Sequence, residues 1–537
     1  MDLTDPDQVA QLYVMQWMHE NGMHDALRAL EKHVGRLYDD GQLPEASQLM
    51  QLVWRHVEQQ LQEEAEEEHQ QEGGTTGITA TTTGTGTGTN SGTGSSSSSQ
   101  RRRQHQEEAL RLLRAGAGDY AGEVVVADVP PEVHGGANVI AVRLVPGREE
   151  VITAAGDGWV RCVRFHRSTA STHGSAAAGV APATAAATAA SAAAAEAAEV
   201  VWATRVSNAA LLSLALHPLY GCGFPLVAVG GMDGRVTVLY GPTGATLAAV
   251  QPHSKYVVRV AWGAPPPPPP VPQQQQQQPL LLLATASTDE TVAVLRLDLD
   301  PAVVAAATAE GEQGGAARGN TGGRSSGSSG GGGQGEMVLD LSGLREDEVA
   351  GLKGRLNTVK QIPYGTAVAD VAFLRDGRTL VVGVRGSNYL RLLDCRQLLA
   401  APSAPLSETL VNMNEAGDDH VSFSARQLLP SHCGAYLLVC TDSPRLLVLR
   451  TSDWSLQRVL FGLPAEQFPQ PTAAWHRDSN YIYASGGGPQ LCVFHLGSGR
   501  LLASWRHHKV NLRDLHYDPQ RNLLASCSFD KTVKLMG

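Results

Sequence analysis

The chain has 537 residues, 42% hydrophobic but only 5% aromatic, and a net charge of −11. That acidity, much of it in the run Glu58 to Glu72, argues against direct nucleic-acid binding, which needs a basic stripe for phosphates. No apolar run reaches the roughly 18 residues of a membrane helix, and the acidic N-terminus MDLTDPDQ is no leader peptide. The expectation is a soluble intracellular protein, cytoplasmic or nuclear, with no membrane association. The cysteines (Cys162, Cys222, Cys395, Cys433, Cys440, Cys492 and Cys527) are scattered, with no C-x-x-C pair. Dispersed thiols of this kind fit buried, reduced side chains rather than a disulfide framework or a zinc site.

The first ordered stretch is helical. Apolar residues at Leu12, Val14, Met15, Trp17 and Met18, then Met23, Leu27, Leu30 and Val34, follow helical intervals broken once, at Asn21-Gly22. Two helices this short cannot bury so wide an apolar face alone; chains below about 40 residues usually need a partner. Leu12, Met15, Trp17, Met18, Gly22, Leu27 and Leu30 fall on the pattern of the LisH motif, which the segment resembles. Met23 and Ala26 stand where that motif favours Tyr and Thr. The resemblance implies a homodimer through residues 1–72. Beyond Gly41 a longer helix, striped by Leu49, Leu52, Val53, Val57 and Leu61 and ending in glutamates, would extend the interface as a short coiled coil.

Residues 73–103 are mostly Gly, Thr and Ser, a flexible linker with too little apolar surface to fold. Residues 104–118 read as a short helix, and 119–537 as one repeat-built domain. Three low-complexity insertions interrupt it: 168–198, 264–279 and 300–335. A GRSSG string at 323–327 lacks the strand and helix that a nucleophile elbow needs.

Between the insertions one pattern recurs: an apolar strand, a tight turn and a second apolar strand. It appears at 151–163, 226–239, 282–295, 379–393, 436–449, 481–494 and 523–536, each time after a further strand-like run. The preceding runs include VSFSARQLLP (421–430) and LRDLHY (512–517). The last copy, HHKVNLRDLHYDPQRNLLASCSFDKTVKLMG, resembles a WD repeat, and the family implies an all-β, seven-bladed β-propeller with degenerate repeats. By that resemblance His508, a strand serine (Ser526 or Ser528) and Asp530 occupy the positions of a hydrogen-bonded tetrad, with Met536 in place of its Trp. His253 matches the blade-start histidine, with His134 a third candidate, and Asp157, Asp233 and Asp289 match the turn aspartate. Elsewhere the turn holds Ser387, Ser443 and Gly488. The chain ends after the third strand of the seventh blade, so residues 123–129 are expected to pair with 531–536 and close the ring.

No P-loop, H-E-x-x-H or EF-hand pattern is present, so no catalytic, metal or cofactor residues are assigned. The expected function is a non-catalytic scaffold or adaptor that self-associates through the N-terminal helices and binds other proteins on the propeller faces. The alternatives are a substrate receptor of a ubiquitin ligase, for which Leu393-Asp394-Cys395-Arg396 is a worn WDxR box, and a subunit of a chromatin, transcription or splicing complex.

Overall fold

The structure is a computed structural model. It describes residues 6–20, 24–34, 37–38, 120–167, 198–263, 280–300, 341, 344, 353–414, 417–465 and 469–537. Gly22, the long helix after Gly41, the 73–103 linker, the 104–118 helix and the bulk of the three insertions lie outside the described residues. Contacts divide the chain into two units, 1–116 and 117–537.

In the first unit, helices α1 (Pro6–Glu20) and α2 (His24–Val34) pack together. Leu12, Met15 and Leu27 are buried. Trp17, Met18 and Leu30 are half-buried.

The second unit opens with β1 (Val125–Val129). Blade one is β2 (Val139–Leu144), β3 (Glu150–Ala155), β4 (Trp159–Phe165) and β5 (Ala198–Arg205). Blade two is β6 (Leu211–Leu216), β7 (Leu226–Gly231), β8 (Val236–Tyr240) and β9 (Thr246–Val250). Blade three is β10 (Val257–Trp262), β11 (Leu281–Ser287), β12 (Thr291–Leu299) and β13 (Gly354–Pro363). Blade four is β14 (Val368–Phe373), β15 (Thr379–Val384), β16 (Tyr389–Asp394), the short helix α3 (Cys395–Ala400) and β17 (Glu408–Asn412). Blade five is β18 (Ala425–Pro430), β19 (Tyr436–Thr441), β20 (Arg445–Arg450) and β21 (Leu456–Phe461). Blade six is β22 (Thr472–Trp475), β23 (Tyr481–Ser485), β24 (Leu491–His495) and β25 (Leu501–Trp505). Blade seven is β26 (Leu512–Asp518), β27 (Leu523–Ser528) and β28 (Val533–Met536), completed by β1.

This is a seven-bladed β-propeller, each blade a four-stranded antiparallel sheet. The first strands touch in a closed ring, β2 to β6, β10, β14, β18, β22, β26 and back to β2. The burial gradient explains the sequence pattern. The second strands are buried at nearly every residue because neighbouring blades cover both faces, so they read as continuous apolar runs. Outer strands such as β5 and β25 alternate between covered and exposed positions. The residues at the lost tryptophan position, Val163, Leu239, Leu295, Leu393, Leu449, Phe494 and Met536, are all buried. Blade packing therefore survives the loss of the indole.

Closure follows the expected seam, trimmed at its ends. Val125 pairs with Met536, Ala127 with Leu535, Asp128 with Lys534 and Val129 with Val533. Lys534 Nζ lies 2.6 Å from Asp128 Oδ2, and Val129 and Val533 have no exposed surface. Upstream, Gly122 has φ +128, and a Cβ there would sit 2.8 Å from the Trp505 ring, so the seam needs glycine.

Three expected boundaries move. Ala198, assigned to the alanine-rich insertion, is the first residue of β5, and Asp300, assigned to the third insertion, donates its N–H to Lys353 O. Residues 421–424 do not extend β18. Ser424 gives its N–H and hydroxyl to Asp442 instead, at 2.8 and 2.6 Å, which bends the chain out of the sheet.

An antiparallel blade puts its first–second and third–fourth connections on one face of the disc. Its second–third turns and the blade-to-blade loops lie on the other. All three insertions fall on the first of these faces: 168–197 joins β4 to β5, 264–279 joins β10 to β11, and 301–352 joins β12 to β13. We refer to it as the insertion face and to its opposite as the turn face.

Candidate functional site

On the turn face, three sequence-predicted residues of blade seven meet. His508 lies just before β26, Ser526 within β27 and Asp530 in the turn after it. His508 Nδ1 is 2.9 Å from Asp530 Oδ2, and Nε2 is 2.8 Å from Ser526 Oγ. A carboxylate only accepts, so Nδ1 donates to it, and in the neutral ring Nε2 accepts from the serine hydroxyl. Asp530 also takes the backbone N–H groups of Lys509 and Thr532 and the Thr532 hydroxyl. Burial pushes the Asp530 carboxyl up, but hydrogen bonds from His508 and Thr532 outweigh it and hold it well below the usual carboxylate range. Ser528, the other candidate serine, donates to Val510 O and accepts from Asp530 N.

The Ser–His–Asp order of contacts is that of an acyl-transfer triad. Ser526, however, has no exposed surface and His508 is 3% exposed, so a substrate carbonyl has no way to reach the hydroxyl. The cluster ties a blade-to-blade loop to a turn.

The other blades hold worn versions. In blade three His253 Nδ1 faces Asp289 Oδ2 at 3.1 Å and Nε2 faces Thr285 Oγ1 at 2.8 Å, so threonine replaces serine. In blade one His134 Nε2 reaches Thr153 Oγ1 at 3.0 Å, but Asp157 is turned to Arg161 at 2.6 Å and His134 Nδ1 is left without a partner. Burial, then the Arg161 charge, lowers the His134 pKa to about 4. In blade two Ser207 stands at the histidine position and donates to Asp233 at 2.7 Å. In blade five the turn acid is Asp442, one residue before the expected Ser443, and it holds Ser424.

Sequence reasoning missed a second set of residues, in the inner ring. Six of the seven first strands carry a bulge at the second residue. In blades two, four, five and seven the residue after the bulge accepts a backbone N–H of the next blade. Asp514 accepts from Val142 N at 3.0 Å, Ser213 from Val260 N at 3.0 Å, Asp370 from Leu428 N at 2.6 Å and Gln427 from Ala473 N at 2.9 Å. Arg143 pairs with Asp514 at 2.5 Å and Arg259 with Asp370 at 2.8 Å. These buried acids resemble catalytic carboxylates in burial alone, since each is already held by two backbone N–H groups and a guanidinium.

At the insertion-face end of the channel a recess of about 280 Å³ is rimmed by Trp262, Phe373, Trp475, Tyr517, His432 and His516. Both tryptophans are fixed by the preceding blade: Trp262 Nε1 donates to Ala215 O and Trp475 Nε1 to Leu429 O. His432 bonds Trp475 O and Arg375 rather than the adjacent Cys433, whose thiol meets Ser431. Elsewhere Asp394 caps α3 and binds Arg378, so the acid of the worn WDxR box is held internally while Arg396 is exposed. Among the described residues no group of three His, Cys, Asp or Glu side chains could hold a metal, and no helix is long and apolar enough to cross a membrane.

Residues 499–535 match the family model described as WD domain, G-beta repeat. No curated protein matches the chain. Among solved structures, the chain is similar to the WD40 β-propeller domain of Doa1. The identity is 11%, the match covers 78% of this chain and 97% of that one, and the TM-score is 0.45. The sheet topology and the repeat match establish a seven-bladed β-propeller whose last blade carries a WD repeat.

Proposed function

We propose that this protein is a non-catalytic scaffold that binds partner proteins on its propeller faces and self-associates through its N-terminal helices. The observation that carries the reading is the fate of the polar side chains. Those that look reactive are consumed in the blade networks and the inner ring, and what remains outside is a disc whose turn-face loops are held by side-chain hydrogen bonds. Such surfaces suit protein recognition. The half-buried Trp17, Met18 and Leu30 leave apolar surface for a second copy to cover. Two linked propellers would gain avidity without new contacts. Seven unpaired thiols fit a reducing intracellular compartment.

Light scattering tests the self-association. The full chain at tens of micromolar runs at twice the monomer mass, and a chain beginning at residue 73 runs as a monomer. A full chain that stays monomeric would falsify that half of the reading.

A further inference from the structure

The inner ring has a second layer on its insertion-face side. Two residues on from the ring position, the first strands carry alanine in blades two, three, four and six: Ala215, Ala261, Ala372 and Ala474. A methyl group at that level leaves room that a leucine would fill, and the aromatic-rimmed recess of about 280 Å³ opens there. Blades one and seven put Arg143 and His516 at the same level.

The polar atoms that line this recess are unevenly matched. Arg259 uses Nε alone, for Asp370 at 2.8 Å, and its two terminal nitrogens meet no acceptor among the described residues. Gln427 Oε1 accepts from Ala473 N and the Cys440 thiol, so its amide Nε2 is left as a spare donor. His516 Nδ1 accepts from Leu144 N at 3.1 Å, which puts the proton of the neutral ring on Nε2. That N–H has no partner among the described residues either. The carboxylates are engaged. Asp514 holds Val142 N, Leu515 N and Arg143, and Asp370 holds Leu428 N, Val371 N and Arg259. The two arginines and two aspartates also balance in charge. Spare donors over balanced charge, beneath an aromatic rim, fit an occupant that accepts hydrogen bonds and carries no charge.

We propose that this recess is a binding site for a small uncharged molecule, its carbonyl-type oxygens on the spare donors of Arg259, Gln427 and His516 and its apolar body against Trp262, Trp475 and Tyr517. This goes beyond the scaffold reading, which stands whatever the test returns. Saturation-transfer NMR on the full chain compares three probes of similar size: acetophenone, an uncharged acceptor; benzoate, a charged one; and benzylammonium, a cationic donor. Acetophenone should bind at least about tenfold more tightly than either ion, because a buried charge without a counter-charge is costly. Ala261→Leu and Ala215→Leu fill the recess from two blades without removing a hydrogen bond. Each, checked for folding by thermal melting, should weaken acetophenone binding about tenfold. A preference for benzoate or benzylammonium, no binding of acetophenone at millimolar concentration, or binding indifferent to both leucines overturns the proposal. The probe comparison uses the unaltered chain, so it decides even where a leucine variant fails to fold.

Discussion

The two faces of the disc are built from the same strands and tolerate very different chains. On the turn face, each blade-to-blade loop in blades one, two, three, five and seven is tied by a His, Ser or Asp side chain to a turn or strand a few ångströms away. On the insertion face the described ties are of another kind, such as Thr451 Oγ1 to Gly434 O and Cys433 N to Ser479 Oγ, and all three long insertions are found there. One of them is tacked down within its length: Leu341, fully buried, donates its N–H to Gly223 O and accepts from Tyr240 Oη, and Leu344 packs against the same core. The difference is one of accounting for polar groups. A loop whose backbone is held by a buried His–Asp pair cannot lengthen without stranding that pair, whereas lengthening a free hairpin costs only loop entropy.

The inner ring lies under both faces, so breaking it should harm both. Asp514→Ala removes the acceptor of Val142 N, Leu515 N and the Arg143 guanidinium, leaving a charge that is only 14% exposed without its partner. A loss of about 3–5 kcal/mol is expected in urea unfolding, with amide exchange accelerated on both faces. Exchange confined to one face would mean that the ring does not couple them.

Acid should also act on both. His134 on the turn face and His217 on the insertion face each have a pKa lowered to about 4, His134 by burial and then Arg161, His217 by burial. A buried histidine with a depressed pKa binds its proton less readily when folded than when unfolded. Its contribution is therefore complete above pH 6.5 and is lost as pH falls toward 4. Going from pH 7 to pH 5 costs about 2 kcal/mol per histidine. Unfolding midpoints of His134→Gln and His217→Gln at the two pH values check this, each substitution removing its own share of the acid-dependent loss, alongside the shares of His253, His432 and His516, whose pKa values burial also lowers.

The faces should part at His508→Ala. It takes the imidazole from the Asp530 carboxylate, which keeps its bonds from Lys509 and Thr532, and leaves the buried Ser526 hydroxyl without its acceptor, and about 1–3 kcal/mol of stability should go. Exchange should quicken at 506–511 and 529–532 and leave the insertion-face loops unchanged.

Most of the propeller was legible because its physics is local. A strand covered on both sides must be apolar throughout, so the seven turn-centred pairs of apolar runs stand out, and the missing fourth strand of blade seven points to the seam. The failures are those of register and distance. Ser526 and Ser528 lie on the same side of β27, so alternation cannot choose between them; only the 2.8 Å contact to His508 does. In blade five the acid sits at Asp442, one residue off the pattern, where it holds Ser424. The ring was invisible for a related reason. A bulge breaks the two-residue alternation just where Asp514, Asp370, Gln427 and Ser213 occur, and their partners lie a blade away, 372 residues for Asp514 and Val142.

The smallest effect is the sharpest test of the contrast. Excising residues 268–276 shortens the 264–279 connection between β10 and β11 by about half, on the insertion face. Each halving of a free loop returns about 0.6 kcal/mol of closure entropy, so the shortened chain should be slightly more stable and bind its partners unchanged. Placing the same nine residues after Ser254 lengthens a turn-face loop instead, and it separates His253 and Ser254 N from the strand that aligns them with Asp289. That insertion should cost about 1–3 kcal/mol through the broken pair. Equal melting temperatures for the two variants would mean that the polar ties do not hold the turn face, and that the placement of the insertions needs another cause.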